Sequence, residues 1–284
     1  MTTPMREQFL ELWGRRWLLR QFVARELYVR YKNSAFGFVW SIVPPIVQVI
    51  VYTFFIRSTL GVRAENYSAY LLCGLIPWTF FYAATLDAAH SLLTNKDIIK
   101  KVYFPREIVP LTYVSSNFIH FLLGWCIFSI WFYGIKGLPL LWEMLLFPLV
   151  TLQLLIFVVG MSLWLSCLSV FYEDVKFIYQ TFVNLLLFVF PILFMADNVW
   201  YWALSSGRPW LYRIYMLNPV ASVINAYRHV MLERLPPKSL NLKGTPLDMD
   251  WSSFAVSFVL TILFTLAGYA YFNRRKWEFV ERER

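Results

Sequence analysis

The sequence predicts an all-α integral membrane protein, with six transmembrane helices per subunit and short helical pieces at both membrane faces. Three observations predict it. First, 59% of the 284 residues are hydrophobic, 20% are aromatic and only 15% are charged, against about 25% charged in a soluble domain. Second, six runs reach the roughly 20 mostly apolar residues a spanning helix needs, at about 36–56, 67–90, 108–133, 144–170, 177–195 and 252–272. Third, the net charge of +9 comes from basic residues that flank those runs. A nucleic-acid binder would instead gather them into patches on a polar surface.

The arm over residues 1–34, "FLELWGRRWLLRQFVARELYVRYKNS" in its main part, interleaves Trp13, Trp17, Phe22 and Tyr28 with Arg15, Arg16, Arg20, Arg25 and Arg30. Aromatic and basic residues mixed in this way suit a helix lying in the membrane interface. Arginines at every fifth position do not hold one face of a 3.6-residue period, so a soluble helix is the competing reading. The arm shows no apolar h-region ahead of a small-residue cleavage site, so an unprocessed amino terminus is expected.

A single membrane-spanning body runs from 35 to 274 and a short tail from 275 to 284. With six spans both termini share one side. The arm, the 95–107 segment, the 172–176 turn and the tail carry about 17 Lys and Arg and the opposite loops about 9, which places both termini in the cytoplasm. Residues 197–250 hold apolar pieces, "VWYWAL", "WLYRIYML" and "PVASVINAYRHVMLERL", each too short or too polar to span. Aromatic pieces of this kind favour the interface, and a pair of re-entrant helices at about 198–235 is expected. "PPKSLNLKGTPLDMDW" then reads as a loop.

"NKDIIKKVYFPREIVPL", residues 95–111, is neither loop nor span. Asn95 is placed to cap a helix with Asp97 in its first turn. Ile98, Ile99, Val102 and Tyr103 fall at one-face spacing, and Lys96, Lys100 and Lys101 on the other. Pro105 ends the helix. A stiff amphipathic helix over about 95–104, held between two spans, suits force transmission from a soluble partner; a plain interfacial connector is the alternative.

Catalytic signals are weak. His90, His120 and His229 stand in different segments without HxxxH pairing, whereas metal or acid–base sites need ligands on one face. Asp87 and His90, one turn apart, could orient a proton relay or be ordinary polar residues at a span end. Glu173 and Asp174 at a turn favour capping of the next helix through its dipole, with a docking role, over catalysis. Cys73, Cys126 and Cys167 have no CxxC spacing and read as packed or lipid-facing thiols. No GxxxxGK followed by Ser or Thr occurs, so ATP hydrolysis is not expected on this chain.

These motifs, taken in order, resemble the type 2 ABC permeases that export lipid-linked polysaccharides of the O-antigen, capsule or teichoic acid type. "RYKNSAFGFVWSIVPPI" (30–46) is similar to that family's lead-in to its first span, and "CGLIPWTFF" (73–81) to its second. "NKDIIKKVYFPREIVPL" is similar to its cytoplasmic coupling loop. "FYEDV" (171–175), "FPILF" (190–194) and "NPVASVINAYR" (218–228) resemble its fourth-span turn, the end of its fifth span and its extracytoplasmic helices. Glu173 departs from the pattern, which often has a basic residue there.

The resemblance implies a homodimer of six-span subunits in the cytoplasmic membrane, with two nucleotide-binding ATPase subunits that carry ATP and Mg and no cofactor on this chain. Asp97, Ile98, Ile99, Lys100, Lys101, Val102 and Tyr103 would form the coupling helix, with Glu173 and Asp174 a smaller second contact. Arg16, Arg20, Arg25 and Arg30 would recognise the carrier's phosphate headgroup by bidentate, charge-assisted hydrogen bonds, with general attraction to anionic lipid as the competing role. The first and fifth spans line the family's pore, which makes Trp40, Tyr52, Phe55, Phe188 and Phe190 candidate channel-lining platforms for sugar rings. A permease for a small drug or lipid, and a membrane-embedded glycosyl- or acyltransferase, are the alternatives.

Overall fold

A computed structural model describes residues 5–32, 67–135, 141–232 and 247–276, with isolated positions between 43 and 54 and at 278. Every regular element among the described residues is helical. The arm forms α1 (Met5–Gly14) and α2 (Arg16–Tyr31). The body continues with α3 (Tyr67–Thr94), α4 (Lys96–Lys101), α5 (Ile108–Ser129), α6 (Phe147–Phe171) and α7 (Val175–Val189). Three short helices follow, α8 (Ala196–Ser205), α9 (Trp210–Leu217) and α10 (Pro219–Met231), and α11 (Trp251–Arg275) is the last of the described elements.

Among the described residues, four helical stretches are long and apolar enough to cross a membrane: Ser68–Thr94, Ile108–Ile135, Trp142–Phe171 and Trp251–Arg275. The second includes a π-helical end at Ile130–Ile135 and the third a 3-10 lead-in at Trp142–Leu146. The shortest has 25 residues, about 37 Å at 1.5 Å per residue, against a hydrocarbon core of about 30 Å. The first expected span, 36–56, lies almost wholly outside the described residues. The fifth, expected over 177–195, is a helix of 15 residues ending at Val189. Pro191 explains the early stop, since it has no N–H to continue the ladder and biases Phe190 towards the extended backbone seen there, φ −78 and ψ 153.

α3 packs on α5 and α6, and α11 packs on α6. Small residues set the last contact. A Cβ on Gly160 would lie 2.5 Å from Thr265 Oγ1 and 2.7 Å from its Cα, and one on Gly268 would lie 2.8 Å from the Gly160 carbonyl. The two backbones therefore touch, as small residues permit between membrane helices. Hydrogen bonds brace the crossing: Thr265 Oγ1 donates to Ile156 O at 2.8 Å and Gln153 Nε2 to Ser257 Oγ at 3.1 Å.

The region expected to hold a pair of short helices holds three. Gly207 (φ 69) ends α8, with Gly207 N donating to Leu204 O and Arg208 N to Ala203 O, the pair of bonds that defines a Schellman stop. Asn218 starts α10, its Oδ1 accepting from the amides of Val220 and Ala221 at 3.0 and 3.3 Å, with Pro219 first in the helix. α10 is buried along nearly its whole length among α3, α6 and α11. Tyr227, buried in that packing, bonds Thr151 Oγ1 at 2.8 Å and lies 4.9 Å from the Trp125 ring.

The main apolar core fills the space between α3, α5, α6 and α10. A second cluster sits at the end of the bundle where α3 and α6 stop and α5 starts. It contains Leu92, Phe104, Ile108, Val109, Leu163, Cys167 and Phe272. We call this the basal end, and the end that carries α8 to α10 the distal end.

Candidate functional site

The basal end holds every described residue that the sequence marks for coupling. α4 has six residues and buries none of them fully. Its last hydrogen bond runs from Val102 N to Ile98 O at 3.1 Å, and Val102 is extended (φ −130, ψ 134). The helix thus stops at Lys101, short of the expected 104, and the expected single apolar face is split in two. Ile98 and Ile99 are half-buried against the basal cluster of this same chain. Val102 and Tyr103 leave the helix and are exposed, Tyr103 at 72%. Lys96, Asp97, Lys100 and Lys101 are exposed beside them. The outward surface of the segment therefore combines one tyrosine, one valine and a mixed run of charges.

Asn95 occupies the expected cap position without capping. Its Nδ2 turns back to Ser91 O at 2.9 Å and to Tyr113 Oη at 3.1 Å, tying the end of α3 to α5. Asp174 likewise precedes α7 with no side-chain cap bond. It stands exposed with Tyr172 and Glu173 in the turn between α6 and α7. Burial lowers the pKa of Arg106, a shift that the neighbouring Glu107 and Tyr103 only partly offset.

Two arm contacts hold the segment. Arg15, absent from the sequence candidates, donates from Nη1 to Tyr103 O at 3.2 Å, places its guanidinium 5.8 Å from that ring, and pairs with Glu11 at 3.3 Å. Phe22 packs on Phe104 with ring centroids 5.5 Å apart. Further along α2, Arg30 Nη2 meets Asp87 Oδ2 at 2.9 Å and Glu26 Oε1 at 3.1 Å, and its Nη1 reaches Asn117 Oδ1 at 3.3 Å. Asn117 Nδ2 donates to the same Asp87 oxygen at 2.9 Å. Burial weakens the Arg30 charge, yet Asp87 and Glu26 more than restore it, so its pKa lies above the ordinary value. Asp87 thus pairs with the arm, and His90 is exposed nearby.

The four candidate arginines are not equivalent. Arg30 is committed to Asp87 and Asn117. Arg16, Arg20 and Arg25 are exposed, and Arg16 lies 5.7 Å from the Trp13 ring.

The aromatic candidates also divide. Trp40, Tyr52 and Phe55 lie outside the described residues. Phe188 is 66% exposed, while Phe190 is 4% exposed and packs edge-on against Trp78 at 5.7 Å. Phe188 belongs to an apolar exposed face of α7 that includes Phe177, Ile178, Phe182, Leu185 and Val189.

Beyond α7 the chain is held by a side chain that sequence reasoning passed over. Arg228, 4% exposed on α10, donates from Nη1 to Pro191 O and, at 3.4 Å, to Phe194 O, and from Nη2 to Ile192 O at 2.7 Å. Its guanidinium lies 3.5 Å from the Tyr70 ring centroid. The signal was available, because a lone arginine in an apolar stretch of a membrane protein calls for a specific partner.

Residues 18–232 match the ABC-2 type transporter family. The chain is 28% identical over 267 residues to an "O-antigen export system permease protein RfbA" of Klebsiella pneumoniae, covering 93% of this chain and 94% of that one. It is 27% identical over 271 residues to a protein of the same name from Myxococcus xanthus, covering 95% and 97%. With the family match running from within α2 through α4 and α7 to the Arg228 helix, this multi-pass membrane chain belongs to the ABC-2 type transporter family.

Proposed function

We propose that the chain is the membrane subunit of an ATP-driven exporter for a lipid-linked polysaccharide of the O-antigen type. The observation that carries this is likeness along almost the full length of both chains to permeases named for O-antigen export. In this reading two copies form the permease in the cytoplasmic membrane, six spans each, with both termini in the cytoplasm. The first span comes from the 36–56 region. The fifth combines α7 with the segment clasped by Arg228, and α8 to α10 dip into the outer leaflet.

Two nucleotide-binding subunits dock at the basal end and hydrolyse ATP with Mg. They contact the exposed face of α4 through Asp97, Lys100, Lys101, Val102 and Tyr103, and the turn at Glu173 and Asp174. Ile98 and Ile99 support that face from behind. The exposed face of α7, Phe188 included, meets the other copy across the path. Aromatic faces there stack on sugar rings without charge–charge trapping, which lets a long hydroxyl-rich polymer move through. Arg16, Arg20 and Arg25 hold the carrier's phosphate at the interface by charge-assisted hydrogen bonds. Arg30 instead fixes the arm to the bundle.

Deleting the chain in its native cells tests the reading. Surface polysaccharide disappears, lipid-linked polymer accumulates inside, and the wild-type chain restores both. Unchanged surface polysaccharide in the deletion strain would refute it. An Arg16→Gln, Arg20→Gln, Arg25→Gln variant inserts normally but does not restore export; full restoration would remove the headgroup role alone.

A further inference from the structure

The end of α11 and the residue after it contact the borders of both segments assigned above to ATPase docking. Lys276 Nζ meets Glu107 Oε1 at 2.6 Å, with side chains 11% and 3% exposed. Glu107 immediately precedes α5 and closes the loop that α4 opens. One residue back, the Arg275 guanidinium lies 5.4 Å from the Phe171 ring, at the start of the turn that carries Glu173 and Asp174. Between them Phe272, fully buried, fills the centre of the basal cluster against which Ile98 and Ile99 pack.

We propose that the carboxyl-terminal end of the last span is a positioning element of the coupling face, with the Glu107–Lys276 pair as its key contact; this rests on the reading of the chain as an ABC permease subunit. A buried ion pair is a poor source of stability but a strict constraint on geometry, because removing one partner strands the other's charge away from water. Glu107 has a second carboxylate oxygen, buried and without a hydrogen-bond partner among the described residues, so Lys276 makes the direct ion pair to this carboxylate and the neighbouring Arg106 charge acts on it from further off. The α4 segment therefore cannot shift under a docked ATPase without moving α11, and α11 carries the shift into the bundle through its close crossing with α6 at Gly160 and Gly268. Lys276 and Glu107 act by keeping the two contact segments and the last span in one register.

The test uses the full permease–ATPase complex and reads surface polysaccharide exported per ATP hydrolysed, a ratio that a merely structural pair would not alter in the assembled complex. Lys276→Met and Glu107→Gln each lower the ratio about tenfold, equivalent to about 1.4 kcal/mol of coupling. The charge-swapped pair Glu107→Lys with Lys276→Glu recovers at least half of it. Since a stranded charge can prevent folding, the doubly neutral variant Glu107→Gln with Lys276→Met serves as the second arm. It assembles with the ATPase and hydrolyses ATP at close to the wild-type rate, but its export ratio stays low. A wild-type ratio in the doubly neutral variant, or assembled swapped complexes no better than the single variants, would overturn the inference and leave the permease reading intact. Failure of the wild-type chain to bring down any ATPase would overturn the permease reading first and the inference with it.

Discussion

The distal and basal ends of this subunit are held by different chemistry. At the distal end, α10 is buried along nearly its whole length, capped by Asn218, and clamped by Arg228 onto the carbonyls that follow the break in α7. At the basal end, α4 buries no residue fully, and it is kept in place by Arg15, by a small apolar cluster and by one buried ion pair across from α11. Charge-assisted bonds to backbone in a water-poor setting make the first region stiff. Short helices with exposed charge and few buried contacts make the second adjustable. A transporter needs both: a fixed frame around the path, and a face that a soluble motor can grip and displace.

Substitutions sharpen the contrast, and the largest effect on subunit stability belongs at the distal end. Arg228→Met orphans carbonyl groups around Pro191 and costs at least about 3 kcal/mol, seen as a large fall in thermal stability in mild detergent; Arg228→Lys recovers only part. Gly160→Leu drives a side chain into Thr265 and the α11 backbone and costs about 3 kcal/mol, with α11 the first segment to gain hydrogen exchange. Arg30→Gln loses a half-exposed pair with Asp87 and costs about 1 kcal/mol. Proteases detect it as faster cleavage in the arm. Smallest is Val102→Asp with Tyr103→Asp, within about 0.5 kcal/mol of wild type as expected of surface positions, yet it removes the ATPase from the purified complex. Should that variant melt far below wild type, the basal face is structural and the contrast fails.

Much of this was legible in the sequence, for physical reasons that also mark where reading stopped. Runs of about 20 apolar residues place α3, α5, α6 and α11 closely, since the bilayer sets their length. The span at 177–195 overran because composition alone disregards Pro191, whose missing N–H ends α7. Helical periodicity put Ile98, Ile99, Val102 and Tyr103 on one face, but that pattern holds only while the backbone stays helical, and Val102 does not. Periodicity also says nothing about which partner a face meets: Ile98 and Ile99 turn to their own chain. Long-range pairs such as Glu107 with Lys276, and Arg30 with Asp87, leave no local signature. Gly160 and Gly268 could not be matched from sequence either, since no GxxxG spacing marks either one.

The central claim is that the basal face exists to hold an ATPase. The most direct measurement is affinity purification of the tagged full chain from its native cells in gentle detergent, with co-purifying proteins identified and ATP hydrolysis assayed. The account predicts a P-loop ATPase at equal stoichiometry, which the Val102→Asp, Tyr103→Asp variant fails to retain. A chain that purifies alone and turns over an activated sugar or acyl donor by itself would contradict it.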